Sequence, residues 1–274
     1  MGTPTLTTGR SRVRALRRFG HPLTRVSLGL ATSGLAVGLA SVPAAHAGAA
    51  ARISINNKAY AQAQLVRLTN LPGGWTSSGG TWVGTSADDD SQSMLTMTQF
   101  PEYSTCLGQP PELSVVATEA SSPQFYSKDQ NTNVFDVADV YANTTEAKTD
   151  FPPLNDPKFA SCFLQVQNSS IMNVEQSEWP SGATFGTPIV SISHQPRYGN
   201  QSGLIEIQVP VNLPGEGSTN DFIVALVIRE GRSTAELLID QGDTTPSAAL
   251  TESLAKAITA KMKARPPANS GITA

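Results

Sequence analysis

Few residues of this 274-residue chain stand in a constellation whose types and spacing could do chemistry. A Ser-His-Asp hydrolase needs a histidine as general base. Two of the three histidines, His21 and His46, stand ahead of residue 47, which leaves His194. His194 ends a run in register with Val190 and Ile192 and precedes Pro196, a setting typical of a structural histidine at a strand end. The Gly-x-Ser-x-Gly elbow of the α/β-hydrolases does not occur. Carboxylate pairs such as Glu175 with Glu178, or Asp136 with Asp139, have the chemistry of a glycosidase. Their spacing does not fix the separation that acid and nucleophile require.

Other constellations are equally sparse. Asp129-x-Asn131-x-Asn133 opens like a calcium loop, but Val134 replaces the turn glycine and no bidentate Glu follows at the required spacing. Asp88-Asp89-Asp90 reads as a solvated acidic turn. Gly73-Gly74 and Gly79-Gly80 lack the lysine of a phosphate loop. No metal and no cofactor is expected. Asn143, Asn168 and Asn200 lie in N-x-S/T sequons, relevant only in a glycosylating host. Trp75, Trp82 and Trp179, with Tyr103 and Tyr126, offer flat surfaces for a sugar or lipid, though aromatics more often fill a core.

The N-terminal segment sets the compartment. Arg10, Arg12, Arg14, Arg17, Arg18 and Arg25 precede an uncharged apolar run from Val26 to Val42, and Ala45-His46-Ala47 supplies a small-x-small cleavage signature before Gly48. The run is shorter than the ~20 apolar residues that cross a bilayer, so residues 1–47 read as a secretory signal and not an anchor, although a retained anchor is the alternative. The first cysteine after it is Cys106, which leaves no acceptor for lipidation near the cleavage point. The expected location is therefore extracellular, without a lipid tether. Six of the 19 lysines and arginines leave with the signal, so 13 remain against 22 Asp and Glu, a formal charge of −9. That balance excludes nucleic acid as a partner and disfavours anionic lipid. Cys106 and Cys162, alone in an exported chain, read as one disulfide, with two buried thiols as the alternative.

Elements must then position these residues. Residues 48–56 read as a flexible leader. Lys58–Thr69 has helical spacing at Ala61, Leu65 and Leu68, and Asn70-Leu71-Pro72-Gly73-Gly74 stops it. Thr76–Gly84 and Ser121–Asn133 read as loops. A helix over Met94–Cys106 would be kinked or restarted by Pro101, and Leu113–Glu119 and Val134–Tyr141 read as strands. Asn143 and Glu146 have the spacing of a capping box. Asp156-Pro157 opens a second helix, with Phe159, Cys162, Phe163 and Val166 on one face. Ile189–Gln195, Leu204–Val211, Phe222–Arg229 and Thr234–Asp240 read as strands, the third apolar on both faces and hence central. Glu230-Gly231-Arg232 reads as a hairpin turn. The last helix opens at Thr245-Pro246 and carries a stripe of Leu250, Leu254, Ala257, Ile258 and Met262, ahead of a disordered tail over 265–274. The pattern predicts an α+β domain over 57–264, its central sheet largely antiparallel and flanked by helices.

Several segments together resemble a family of secreted and lipid-anchored actinobacterial proteins related to the extracellular sensor domain of mycobacterial protein kinase H. These are Leu71-Pro72-Gly73-Gly74-Trp75, Cys106-Leu107-Gly108, Ser122-Pro123-Gln124-Phe125, Ala147 with Phe151, and Asp156-Pro157-Lys158-Phe159 leading to Cys162. The resemblance spans about residues 58 to 263. It implies a disulfide joining the helices that hold Cys106 and Cys162, a ligand groove and no catalytic residue. Kinase signalling does not carry over, since the chain has no kinase domain. The expected function is non-enzymatic binding of a small molecule, an envelope component or a protein, with Trp75, Tyr126 and Trp179 lining the groove. The alternatives are a carboxylate-dependent hydrolase of envelope polymer and a protein–protein module.

Overall fold

A computed structural model describes residues 57–84, 95, 100–109, 116–194 and 198–264. The expected signal (1–47), its cleavage site at Ala45–Gly48, the expected leader, residues 88–90 and the expected C-terminal tail (265–274) lie outside the described residues.

Ten strands form one antiparallel sheet: β1 (Thr76–Ser78), β2 (Trp82–Gly84), β3 (Val116–Ser121), β4 (Gln124–Tyr126), β5 (Thr132–Tyr141), β6 (Thr184–Phe185), β7 (Ile189–His194), β8 (Gln201–Leu213), β9 (Gly217–Glu230) and β10 (Ser233–Gly242). Their order is β1-β4-β5-β10-β9-β8-β6. β3 shares the outer edge of β5 with β4, and β7 shares the outer edge of β8 with β6. The all-apolar run in β9 is explained by its place between β10 and β8. Gly231, at φ +57, makes the tight connection from β9 to β10 possible.

Helices cover both faces. On one, α2 (Pro101–Leu107) and α4 (Phe159–Glu178) pack Tyr103, Phe159, Phe163 and Ile171 over Ile205, Ile207, Val209 and Val227. We call this the disulfide face, because Cys106 of α2 and Cys162 of α4 are bonded, with Cα atoms 5.7 Å apart. On the other, α5 (Ala248–Ala264) sets Leu254, Ile258 and Met262 on Val224, Leu226, Ile228, Leu237 and Ile239. Beside it, α1 (57–64) buries Tyr60 and Ala61 against Ala120, Ala138 and Val140. Each fully buried Leu, Ile or Phe contributes roughly 1.5–3 kcal/mol, so the two apolar layers hold the sheet between them. The Tyr60 hydroxyl donates to the Met262 carbonyl at 2.8 Å, tying α1 to α5.

Several boundaries differ from the sequence reading. α1 ends at residue 64, not at Thr69, and Leu68–Asn70 forms a separate 3-10 turn. The buried Asp136 draws the chain out of the helix by accepting the Val66 N–H at 2.9 Å. Leu68, expected on the buried face, is 42% exposed. α2 starts with Pro101 at its first helical position, as a restart there would have it, while most of the preceding 94–99 stretch lies outside the described residues. α4 begins at Phe159, capped by Lys158, because Asp156 spends its Oδ1 on the Lys158 N–H in a turn ahead of the helix. The short helix α3 (Thr144–Thr149) does open on Asn143, whose side chain accepts the Glu146 N–H at 2.9 Å.

Candidate functional site

Among the described residues, α5 packs mainly over β9 and β10 and leaves the β7–β8 end of its face open. A groove of about 250 Å³ occupies that gap. Strand register builds it as two rungs across three strands. Ile189, Gln208 and Phe222 lie side by side in one rung, and Ser191, Glu206 and Val224 in the next. Thr245, just ahead of α5, closes one end.

Alternation in β8 explains why polar groups reach this surface. Ile205, Ile207 and Val209 are buried beneath α4, so Glu206 and Gln208 must point the other way, into the groove. Ser191 Oγ donates to Glu206 Oε2 at 3.2 Å and steadies the carboxylate. Glu206 is the one titratable side chain among the lining residues, and Ile189 (58% exposed) with Phe222 supplies apolar surface. One carboxylate, one amide and one hydroxyl beside apolar walls can orient a ligand by hydrogen bonds and contact area. Acid–base hydrolysis through two carboxylates needs a pair about 5–9.5 Å apart, and the groove holds one.

Asp136 and Asp139 do not converge in a cleft, and the Glu178 side chain lies outside the described residues. Asp136 and Asp139 are three residues apart on β5 and so point to opposite faces, each at most 3% exposed. Burial pushes the Asp136 carboxyl up to about 6, opposed by its bonds from Val66 and Ser122 and by the charge of Lys261. Glu175 is buried and accepts from Trp179 Nε1 at 2.9 Å. His194 closes β7 opposite Gly203. The polar groups of the calcium-like segment bond within its own turn and to β10: Asp129 Oδ1 accepts from Ser127 Oγ and the Asn131 N–H, while Asn133 Nδ2 donates to Asp240 Oδ2 at 2.8 Å.

None of the three aromatic residues expected at a ligand site lines this groove: Trp75 and Tyr126 share one edge of the sheet, and Trp179 is remote from both. Trp75 is half-buried against the α5 core next to β1, and Tyr126 is buried in β4, paired with Thr76 at the same edge of the sheet. Its hydroxyl donates to Gln124 Oε1 at 2.5 Å. Trp179 caps the end of α4 on the disulfide face. The groove residues themselves were not singled out as a site from the sequence. The available signal was the exposed Glu206-x-Gln208 face of β8, which becomes a site only when β7 and β9 flank it.

No protein-family model and no curated protein matches this chain. Among solved structures, the crystal structure of the extracellular domain of PknH from Mycobacterium tuberculosis is similar over 76% of this chain and 96% of that one, with 12% identity and a TM-score of 0.36. The likeness is distant. Among the described residues no helix is long and apolar enough to cross a membrane.

Proposed function

We propose that this chain is an exported, disulfide-stapled binding protein of the extracellular space or cell envelope that works without catalysis. Its ligand site in this reading is the β7–β8–β9 groove. The observation that carries the reading is the pairing of a Ser191-held carboxylate with apolar walls from Phe222 and Ile189. Such a set suits a small ligand that has an apolar body and a hydroxyl or amine to donate to Glu206. The export signal supports the compartment, and the Cys106–Cys162 bond is the chemistry of an oxidising one.

The test is native mass spectrometry of the protein recovered from its own host's medium. An adduct on the wild type that is lost in Phe222→Ala and Glu206→Gln supports the groove. An adduct that survives both changes but is lost in Trp75→Ala, Tyr126→Phe or Trp179→Ala would move the site to the aromatic residues. Absence of any adduct, or turnover of an envelope polymer, would overturn the binding reading. Sequencing the secreted product from its first residue checks the export step, with Gly48 expected there.

A further inference from the structure

Four carboxylic acids meet beneath the disulfide-face helices, away from the groove. Glu119 of β3 stands directly opposite Asp139 of β5, and Asp139 stands opposite Thr234 of β10. Glu236 lies two residues further along the same face of β10. Asp150, which closes α3, joins from the side: the Tyr141 hydroxyl donates to its Oδ2 at 2.8 Å. Glu119, Asp139, Asp150 and Glu236 are each no more than 4% exposed. Thr234 Oγ1 donates to Asp139 Oδ2 at 3.4 Å and lies 3.4 Å from the Tyr141 hydroxyl. The remaining oxygen of Asp139, Oδ1, is buried without a hydrogen-bond partner. Tyr103 of α2 faces Glu236 from the helix layer. Among the described residues, every charged group that acts on Asp139 is another acid.

Two carboxylates opposed on an antiparallel pair and sealed from water cannot both ionise cheaply, and a buried carboxyl with an orphaned oxygen costs less neutral than charged. We propose that Asp139 and the acids facing it form a proton-held switch: a retained proton fastens β3, β5 and β10 to the segment that follows α3, and its loss loosens this side of the domain. The domain is then tightest in an acid medium.

The sign follows from the direction of the shift. Burial first, then the charges of Glu119, Asp150 and Glu236, hold the Asp139 carboxyl well above the usual carboxylate range. The native state thus keeps a proton that the unfolded chain releases near pH ~4. The stabilisation is complete below that value and is lost as pH rises through the folded one.

Chemical denaturation of the disulfide-intact mature chain between about pH 5 and about pH 8 tests this, with Asp139→Asn and Asp136→Asn as companions. Inside the window the wild-type unfolding constant should rise by up to about tenfold per pH unit for each proton held. Asp139→Asn should lose one proton's share of that slope, whereas Asp136→Asn should keep the share due to Asp139. Equal slopes in wild type and Asp139→Asn would overturn the switch, as would a wild type that weakens on acidification over this range. Should Asp139→Asn not fold, a carbon-13 NMR titration of the wild-type Asp139 carboxyl decides. A carboxyl still protonated at about pH 6 supports the switch, and ionisation at the ordinary ~4 overturns it.

Discussion

Asp136 shows how one side chain can settle the course of a distant segment. Its Oδ2 takes the Val66 N–H, its own N–H donates to Ser122 Oγ at 3.0 Å, and Oδ1 is buried without a partner. Removing the carboxylate strands a buried donor, so Asp136→Ala should cost about 1–3 kcal/mol in denaturant unfolding. Asp136→Asn keeps an acceptor for Val66 and removes the titration. Because the folded value is raised to about 6, stability contributed by Asp136 is present at acid pH and lost as pH rises through about 6. The variant should therefore lose up to about 3 kcal/mol of the wild type's gain on acidification, checked by unfolding free energies on either side of that value.

Among the elements, the long strands and the terminal helix were legible in the sequence, and the short ones were not. β5, β8, β9 and β10 announce themselves by alternation or by unbroken apolar runs, and the α5 stripe by its helical spacing. β1, β2 and β4 are three residues each and fall where the composition reads as loop. They are strands because β3, β4 and β5 offer unpaired edges to them, a fact about neighbours and not about propensity. The same dependence on neighbours governs Gly199, at φ +60. A Cβ there would sit 2.4 Å from the Arg229 carbonyl oxygen, which already accepts the Asn200 N–H. Gly199→Ala should lower stability by about 1–3 kcal/mol, while Gly73→Ala, with open space around it, should leave the denaturation midpoint nearly unchanged.

For the whole molecule, the disulfide and the incomplete helical cover are the main organising facts. The Cys106–Cys162 bond closes a separation of 56 residues and joins α2 to α4 above the sheet. Loop-closure entropy puts its contribution at about 4 kcal/mol. Replacing both cysteines by serine should lower the unfolding free energy by about 2–4 kcal/mol, and reduction of the wild type should give a comparable loss in the same denaturation assay. Among the described residues the cover is uneven: α5 packs mainly on β9 and β10, and the β7–β8 end leaves room for the groove.

From its residues alone the chain specified an α+β class, an antiparallel sheet with β9 near its centre, and a pair of cysteines suited to one bond. Each of these follows from local periodicity or from composition, which neighbours in the sequence carry. Tertiary structure alone decided that Trp179 stands apart from Trp75 and Tyr126, that Asp136 and Asp139 are separated by the sheet, and that Ser191, Glu206 and Phe222 share a surface. Those outcomes depend on register and on which faces the helices cover, and pairing between segments far apart in the chain sets both.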